Sequence, residues 1–182
     1  MDSARSDRGT TESSLAWEEP HSVQEELEAR LRFETLLADL SWTFINLPAE
    51  DVDREIEEAQ RRVCHCLGLS MSSLWQWSDG APESLVLTHL YRAREGPPTP
   101  EPMTAQEYFP WCLEQLLAGK VINLSSLEEL PAEAARDQEV SRHFGIKAAL
   151  TIPLSAGGGP LIGAVTFNDT EKERPWPEAL VK

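Results

Sequence analysis

The apolar residues of this chain concentrate most densely near its end, over His143–Asn168, HFGIKAALTIPLSAGGGPLIGAVTFN. Lys147 to Leu154 and Pro160 to Asn168 are each about eight residues long, rich in Val, Ile, Leu and Thr, a composition that predicts strands. Gly157-Gly158-Gly159 between them predicts a hairpin turn, and one sheet is built outward from this ribbon. Ala148, Ala149, Gly163 and Ala164 leave little side chain on either face, so a helix or a ligand can approach this backbone closely.

Earlier in the chain the spacing changes to that of helices. From Ser22 to about Ile45, Val23, Leu27, Leu31, Leu36, Leu37, Leu40 and Phe44 fall near one side. A helix of roughly 24 residues spans about 36 Å, more than one small sheet covers, so its first half is expected to pair with another helix. Leu47-Pro48 breaks it, and a second helix carries Val52, Ile56, Ala59, Val63 and Leu67 to a stop at Gly68, so that two helices in tandem face one core. Ser72 to Ser78 and Leu85 to Arg92 read as strands about an Asp79-Gly80 turn. Gly96 to Pro102 holds four prolines in seven residues and is a surface loop. Pro110 opens a helix that stops at Gly119, Lys120 to Leu124 is a short strand, and Ser125 to Pro131 is a loop. Ala132 to about Phe144 is a polar helix capped by Gly145, with only Ala134, Ala135, Val140 and Phe144 to bury. So thin an apolar face predicts a loosely seated lid. Residues 1–20 read as a disordered leader, 21–182 as one domain, and Glu178 to Lys182 as the beginning of a final helix.

Composition narrows the partners. A chain of 182 residues with 41% hydrophobic positions can bury a sizeable core. Its net charge of −15, without a basic stripe, argues against nucleic acid and anionic membrane as partners. No apolar run reaches the roughly 20 residues of a membrane span, the start lacks a secretory signal, and three cysteines make no disulfide framework; a cytoplasmic location is expected.

The candidate chemistry is sparse. Cys64-His65-Cys66 lies on a helix, where residues two apart point about 200° away from each other, so the trio reads as structural and no metal is expected. Gly157 to Gly159 lacks the lysine and following helix of a phosphate loop. No nucleophile-elbow serine, H-E-x-x-H or C-x-x-C pair occurs. Trp75 and Trp77 alternate onto one strand face, as an aromatic wall or as core filling. His89, between Thr88 and Leu90, shares a strand face with Leu87 and Tyr91, either to touch a ligand or as a satisfied core histidine.

Phe144 to Leu154 (FGIKAALTIPL) followed by Leu161 to Phe167 (LIGAVTF) resembles the late G-I-x-S-x-L-x-x-P-L … x-x-G-x-L-x-F signature of the GAF domain, a ligand-sensing module of signalling proteins. Ala148 and Val165 depart from it, where the family has serine and leucine. The element order, Leu69 to Trp77 and Arg174-Pro175-Trp176-Pro177 also match, and the resemblance covers about Leu27 to Lys182. It implies an α+β fold: a central antiparallel five- or six-stranded sheet, long helices on one face and a pocket enclosed by loop and helix on the other. Cyclic-nucleotide-binding members carry Asn-Lys where Asn168-Asp169 stands here, and bilin-carrying members hold a cysteine beside a histidine where only His143 is present. Neither ligand is implied, and no cofactor is expected.

The pocket so implied takes its residues from Trp75, Trp77, His89, Tyr91, Phe144, Thr151 and Thr166, with Arg136 or Arg142 of the lid available to an anion. The function implied is sensing of an unknown small molecule. The chain is expected to form a homodimer through residues 22–45 and to act on a downstream module such as a histidine kinase, a cyclase or a transcription activator. A ligand-free dimerisation module is the alternative, and a redox enzyme using Cys64 or Cys112 a third reading.

Overall fold

A computed structural model describes residues 23–78, 84–155, 157 and 159–176. The expected leader, the Asp79-Gly80 turn, Gly158 and the helix start at Glu178 lie outside the described residues. Two helices come first, α1 (Val23–Ile45) and α2 (Val52–Leu67), then strands β1 (Met71–Trp77) and β2 (Leu85–Arg92). Short helices α3 (Ala105–Tyr108) and α4 (Pro110–Leu117), strand β3 (Ile122–Leu124), helix α5 (Ala135–His143) and strands β4 (Ala148–Ser155) and β5 (Leu161–Asp169) complete the order. Helix α3, which the spacing did not predict, is a single turn inserted before Pro110.

The five strands lie in the order β2-β1-β5-β4-β3, and every pairing is antiparallel. The glycine-linked ribbon thus lies inside the sheet, with β5 in the middle. Gly163 shows why that strand needs small residues: a Cβ there would stand 2.5 Å from the Trp75 carbonyl oxygen of β1. On one face Cys64 and Leu69 meet Ala148, Leu150 and Trp176, whose indole Nε1 donates to the Leu124 carbonyl at 3.0 Å. On the other face Trp75, Leu85 and Ala164 pack with Leu113 and Leu116 of α4 and Val140 of α5.

The tandem helices do not both face the sheet. Helix α2 packs on β1 and β2, and α1 lies on α2. Leu36 of α1 is buried and Phe33 and Leu40 are half-buried, but Leu27 and Leu31 remain 65% and 61% exposed. Spacing by threes and fours marks an apolar side without saying whether sheet or helix meets it.

The sheet also breaks its alternation once. Leu74 pairs with His89 and Trp75 with Leu87, so Thr88 is an extra residue on β2, a bulge held where its Oγ1 donates to Gln76 Oε1 at 2.8 Å. One extra residue turns every later side chain to the other face. Leu85 and Leu87 therefore lie on the α4 side together with Leu90 and Arg92, and His89 and Tyr91 on the α2 side.

Replacing Gly163 with alanine is expected to force β1 and β5 apart and destabilise the fold by about 1–3 kcal/mol. Urea denaturation monitored by tryptophan fluorescence checks it; an unchanged midpoint would mean that the strands yield without loss.

Candidate functional site

Between the sheet and the α4–α5 side lies a cavity of about 80 Å³. Its floor is laid out by register. Arg92, Met71, Asn168 and Ala149 form one row across β2, β1, β5 and β4; Leu90, Ser73, Thr166 and Thr151 form the next; Trp75 and Ala164 begin a third. The Thr166 hydroxyl donates to Thr151 Oγ1 at 3.2 Å, and Trp75 Nε1 donates to Ser73 Oγ at 3.0 Å. Asn168 is 2% exposed, and its Oδ1 accepts no hydrogen bond.

The roof is made by α4 and α5 together. Phe109, just before α4, meets Trp75 edge to face at 5.8 Å, and Leu113 and Leu116 face the hollow. Helix α4 has no cap from its own side chains. Instead Asp137 of α5, 1% exposed, accepts from the backbone N–H of Cys112 at 2.8 Å and of Trp111 at 3.2 Å. A carboxylate at a helix N-terminus satisfies orphan donors and meets the positive end of the helix dipole, so burial of this charge is compensated.

At the rim, Arg92 donates from Nη1 to the Pro97 carbonyl at 2.6 Å and from Nη2 to Thr99 Oγ1 at 2.9 Å. Its guanidinium also lies 5.4 Å from the Phe144 ring centroid. Burial pulls the Arg92 pKa below the ordinary arginine value.

The GAF domain family model matches residues 51–182, nearly three-quarters of the sequence. This chain belongs to the GAF domain family. No curated protein matches it in sequence. Solved structures share the fold at low identity. The phycocyanobilin-bound GAF domain from a cyanobacterial phytochrome is 16% identical, covering 81% of this chain and 84% of that one, with a TM-score of 0.61. The third GAF domain of Slr1393 from Synechocystis sp. PCC6803 is 19% identical over 70% of this chain and 83% of that one, TM-score 0.54. A Staphylococcus aureus NreA protein mutated in its nitrate binding site is 16% identical over 71% and 93%, TM-score 0.53.

Of the residues named from the sequence, Trp75, Phe144, Thr151 and Thr166 line the cavity of this GAF domain. Trp77 packs against the same core outside the lining and donates from Nε1 to the Leu161 carbonyl at 2.8 Å. His89 and Tyr91 are placed elsewhere, because the Thr88 bulge sends them toward α2; His89 Nε2 stands 3.3 Å from Asp53 Oδ1. Arg136 and Arg142 are exposed and paired, to Glu139 at 2.9 Å and Glu128 at 3.1 Å, so neither reaches the cavity. Nor is α5 loosely seated: Ala135 is exposed, but Ala134, Asp137, Val140 and Ser141 are buried. Apolar counting passed over a carboxylate that does the work of a core residue.

Ser73, Arg92, Asp137 and Asn168 were not among the pocket residues expected from the sequence. Asn168 was within reach, since it alternates with Thr166 on a predicted strand, whereas Arg92 required the bulge to be known. Ala148, the departure from the family signature, is wholly buried on the α2 face, so a hydroxyl there would not enter the cavity.

No group of three or more His, Cys, Asp or Glu side chains placed to hold a metal occurs among the described residues. Burial pushes the Cys64 thiol up to about 12. Burial also raises the Cys112 pKa, and the Asp137 carboxylate beside it adds to the effect. Neither holds thiolate near neutral pH, and the thiolate is the reactive form.

Two tests follow from this geometry. Asp137→Ala leaves two backbone donors buried without an acceptor and is expected to cost about 2–4 kcal/mol in urea denaturation, with faster alkylation of Cys112 as the roof loosens. In the unaltered protein iodoacetamide at pH 8 should label exposed Cys66 first and leave Cys64 and Cys112 until urea is added; rapid labelling of Cys112 would revive the redox reading.

Proposed function

We propose that this GAF domain is a sensor: a small molecule enters the cavity, and its binding shifts the helices that carry the signal onward. The observation that carries this reading is the cavity itself, a hollow of about 80 Å³ whose floor and roof come from different parts of the chain. A ligand touching both changes how firmly they are held together, which is the differential contact that a population shift requires. Among the proteins that share the fold, one is a GAF domain with bound phycocyanobilin and another has a nitrate binding site, so the fold accommodates ligands of very different size. A hollow this small, against the roughly 300–1,000 Å³ of pockets for drug-sized molecules, favours the small end of that range.

The same reading assigns the output to α1. On the side away from α2, Leu27 and Leu31, and then Trp42 and Ile45 about three turns on, fall on one face and are 65%, 61%, 72% and 75% exposed. A second copy of the domain covering this stripe would form a parallel or antiparallel helix pair and bring two cavities under one output. The downstream partner is then a histidine kinase, a cyclase or a transcription activator, and the domain itself performs no reaction, in keeping with the burial of Cys64 and partial burial of Cys112. No helix among the described residues is long and apolar enough to cross a membrane; a cytoplasmic location is part of the same proposal. The ligand-free dimerisation module remains the second reading, favoured by the same exposed stripe.

A thermal-shift and native mass-spectrometry screen of small acids, amides, alcohols and nucleotides separates the two. A sensor gains stability with a saturating ligand, about 2.7 kcal/mol at a hundredfold excess over Kd, and a ligand-free module gains none. For the helix, Trp42→Glu combined with Ile45→Glu should convert a dimer into a folded monomer in sedimentation velocity; a wild-type monomer at high micromolar concentration would remove the dimer.

A further inference from the structure

We infer that the cavity takes an apolar, uncharged molecule of a few non-hydrogen atoms, a short hydrocarbon in its chemistry. This rests on the sensory reading above and names the class of ligand sensed.

Most polar side chains of the lining are engaged with one another or with the backbone. Thr166 donates to Thr151, Trp75 donates to Ser73, and Thr99 accepts from Arg92. Arg92 stands at the rim, where it also reaches the Pro97 carbonyl and the Phe144 ring. Asp137 accepts from two backbone amides of α4. The side-chain oxygen of Asn168 is sealed beneath the surface of the hollow, out of reach of any guest. What faces the hollow is nearly all apolar, supplied by side chains such as Trp75, Leu85, Met103, Phe109, Leu113 and Leu116.

Such a lining holds water poorly. Ser141 of α5 adds a hydroxyl to it, whereas an enclosed water needs about two to four polar partners. A cavity of about 150 Å³ lined by Leu, Ile and Phe stays dry and binds benzene or xenon. At about 80 Å³ this hollow is roughly half as large, which suits a guest of roughly three or four carbons better than an aromatic ring. A carbonyl compound or an anion that leaves water for this place gives up more hydrogen bonds than one hydroxyl returns, and the loss is greater for the ion. A hydrocarbon gives up none, and it supplies the close contacts that empty space withholds from the surrounding side chains.

The test titrates the full chain, in sealed tubes, with molecules of one planar, Y-shaped outline and rising polarity: 2-methylpropene, acetone, acetate and nitrate. Shifts of the Trp75 indole and Thr151 amide signals in heteronuclear NMR report occupancy of the cavity, since both residues line it. 2-Methylpropene is expected to bind at least about tenfold more tightly than acetone, and acetate and nitrate to leave both signals in place. Ala149→Leu, which adds carbon to the floor in β4, should abolish the response to 2-methylpropene; a response that persists puts the guest outside the cavity and overturns the inference. Should that variant fail to fold, the ranking on the unaltered chain decides. Acetone binding as tightly as 2-methylpropene, or acetate or nitrate binding more tightly, overturns the apolar ligand and leaves the sensory reading in place. Silence across the series removes this ligand class, and the broad screen then decides separately whether anything is sensed.

Discussion

The pair of hydrogen bonds from the α4 backbone to Asp137 ties together the two helices that roof the cavity. Helix α4 is only eight residues long, starts at a proline and has no cap of its own, so by itself it has little reason to form. Asp137 supplies the missing acceptors from another helix, and in doing so it fixes the distance between α4 and α5. The carboxylate is thus a tie between two helices as much as a cap. Its burial is tolerable because the charge meets backbone dipoles, which do not titrate.

The sheet beneath was largely legible in the sequence, and the face that each strand presents was only partly so. Periods of two and of three to four, with glycine and proline as punctuation, placed α1, α2, β1, β2, α4, β4 and β5 near their observed bounds. What periodicity does not contain is an interruption of itself. Thr88 has the β-branched shape of an ordinary strand residue, so nothing in Leu85–Arg92 announces a bulge, and the alternation carried through it put His89 and Tyr91 on the cavity side. The bulge belongs to a pairing between two strands, and it answers to Leu74 and Trp75 as much as to Thr88. Asp137 escaped for a related reason: a carboxylate on a polar helix reads as solvated until its partners, twenty-five and twenty-six residues away, are known. Asn168 was different, since plain alternation from Thr166 already put it on the cavity face.

On the proposed sensory reading, the layering gives a ligand of a few atoms a route to a helix. The cavity and α2 lie on opposite faces of the same strands, β1 and β2, and α1 touches mainly α2. Strands carry side chains to both faces from one backbone, so Ser73 and Trp75 on the cavity face share their strand with Ser72 and Leu74 on the α2 face. The best small ligands gain about 1.5 kcal/mol per non-hydrogen atom. A few atoms therefore suffice for the 1–3 kcal/mol typical of coupling between sites.

That coupling need not survive in a helix that is already fully satisfied. The outer side of α1 leaves Trp42 and Ile45 in water, while its inner side buries little beyond Leu36. In a single copy α1 is held by little packing beyond its contact with α2, and on the sensory reading a ligand's limited differential energy acts where the resisting forces are small. The tightly packed side is the cavity roof, where Asp137 holds α4, and the loosely packed side is the helix that faces outward. On the sensory reading, firm reception at one end and slack at the other lets a small binding energy be converted into displacement, whereas the reverse arrangement would dissipate it in the roof.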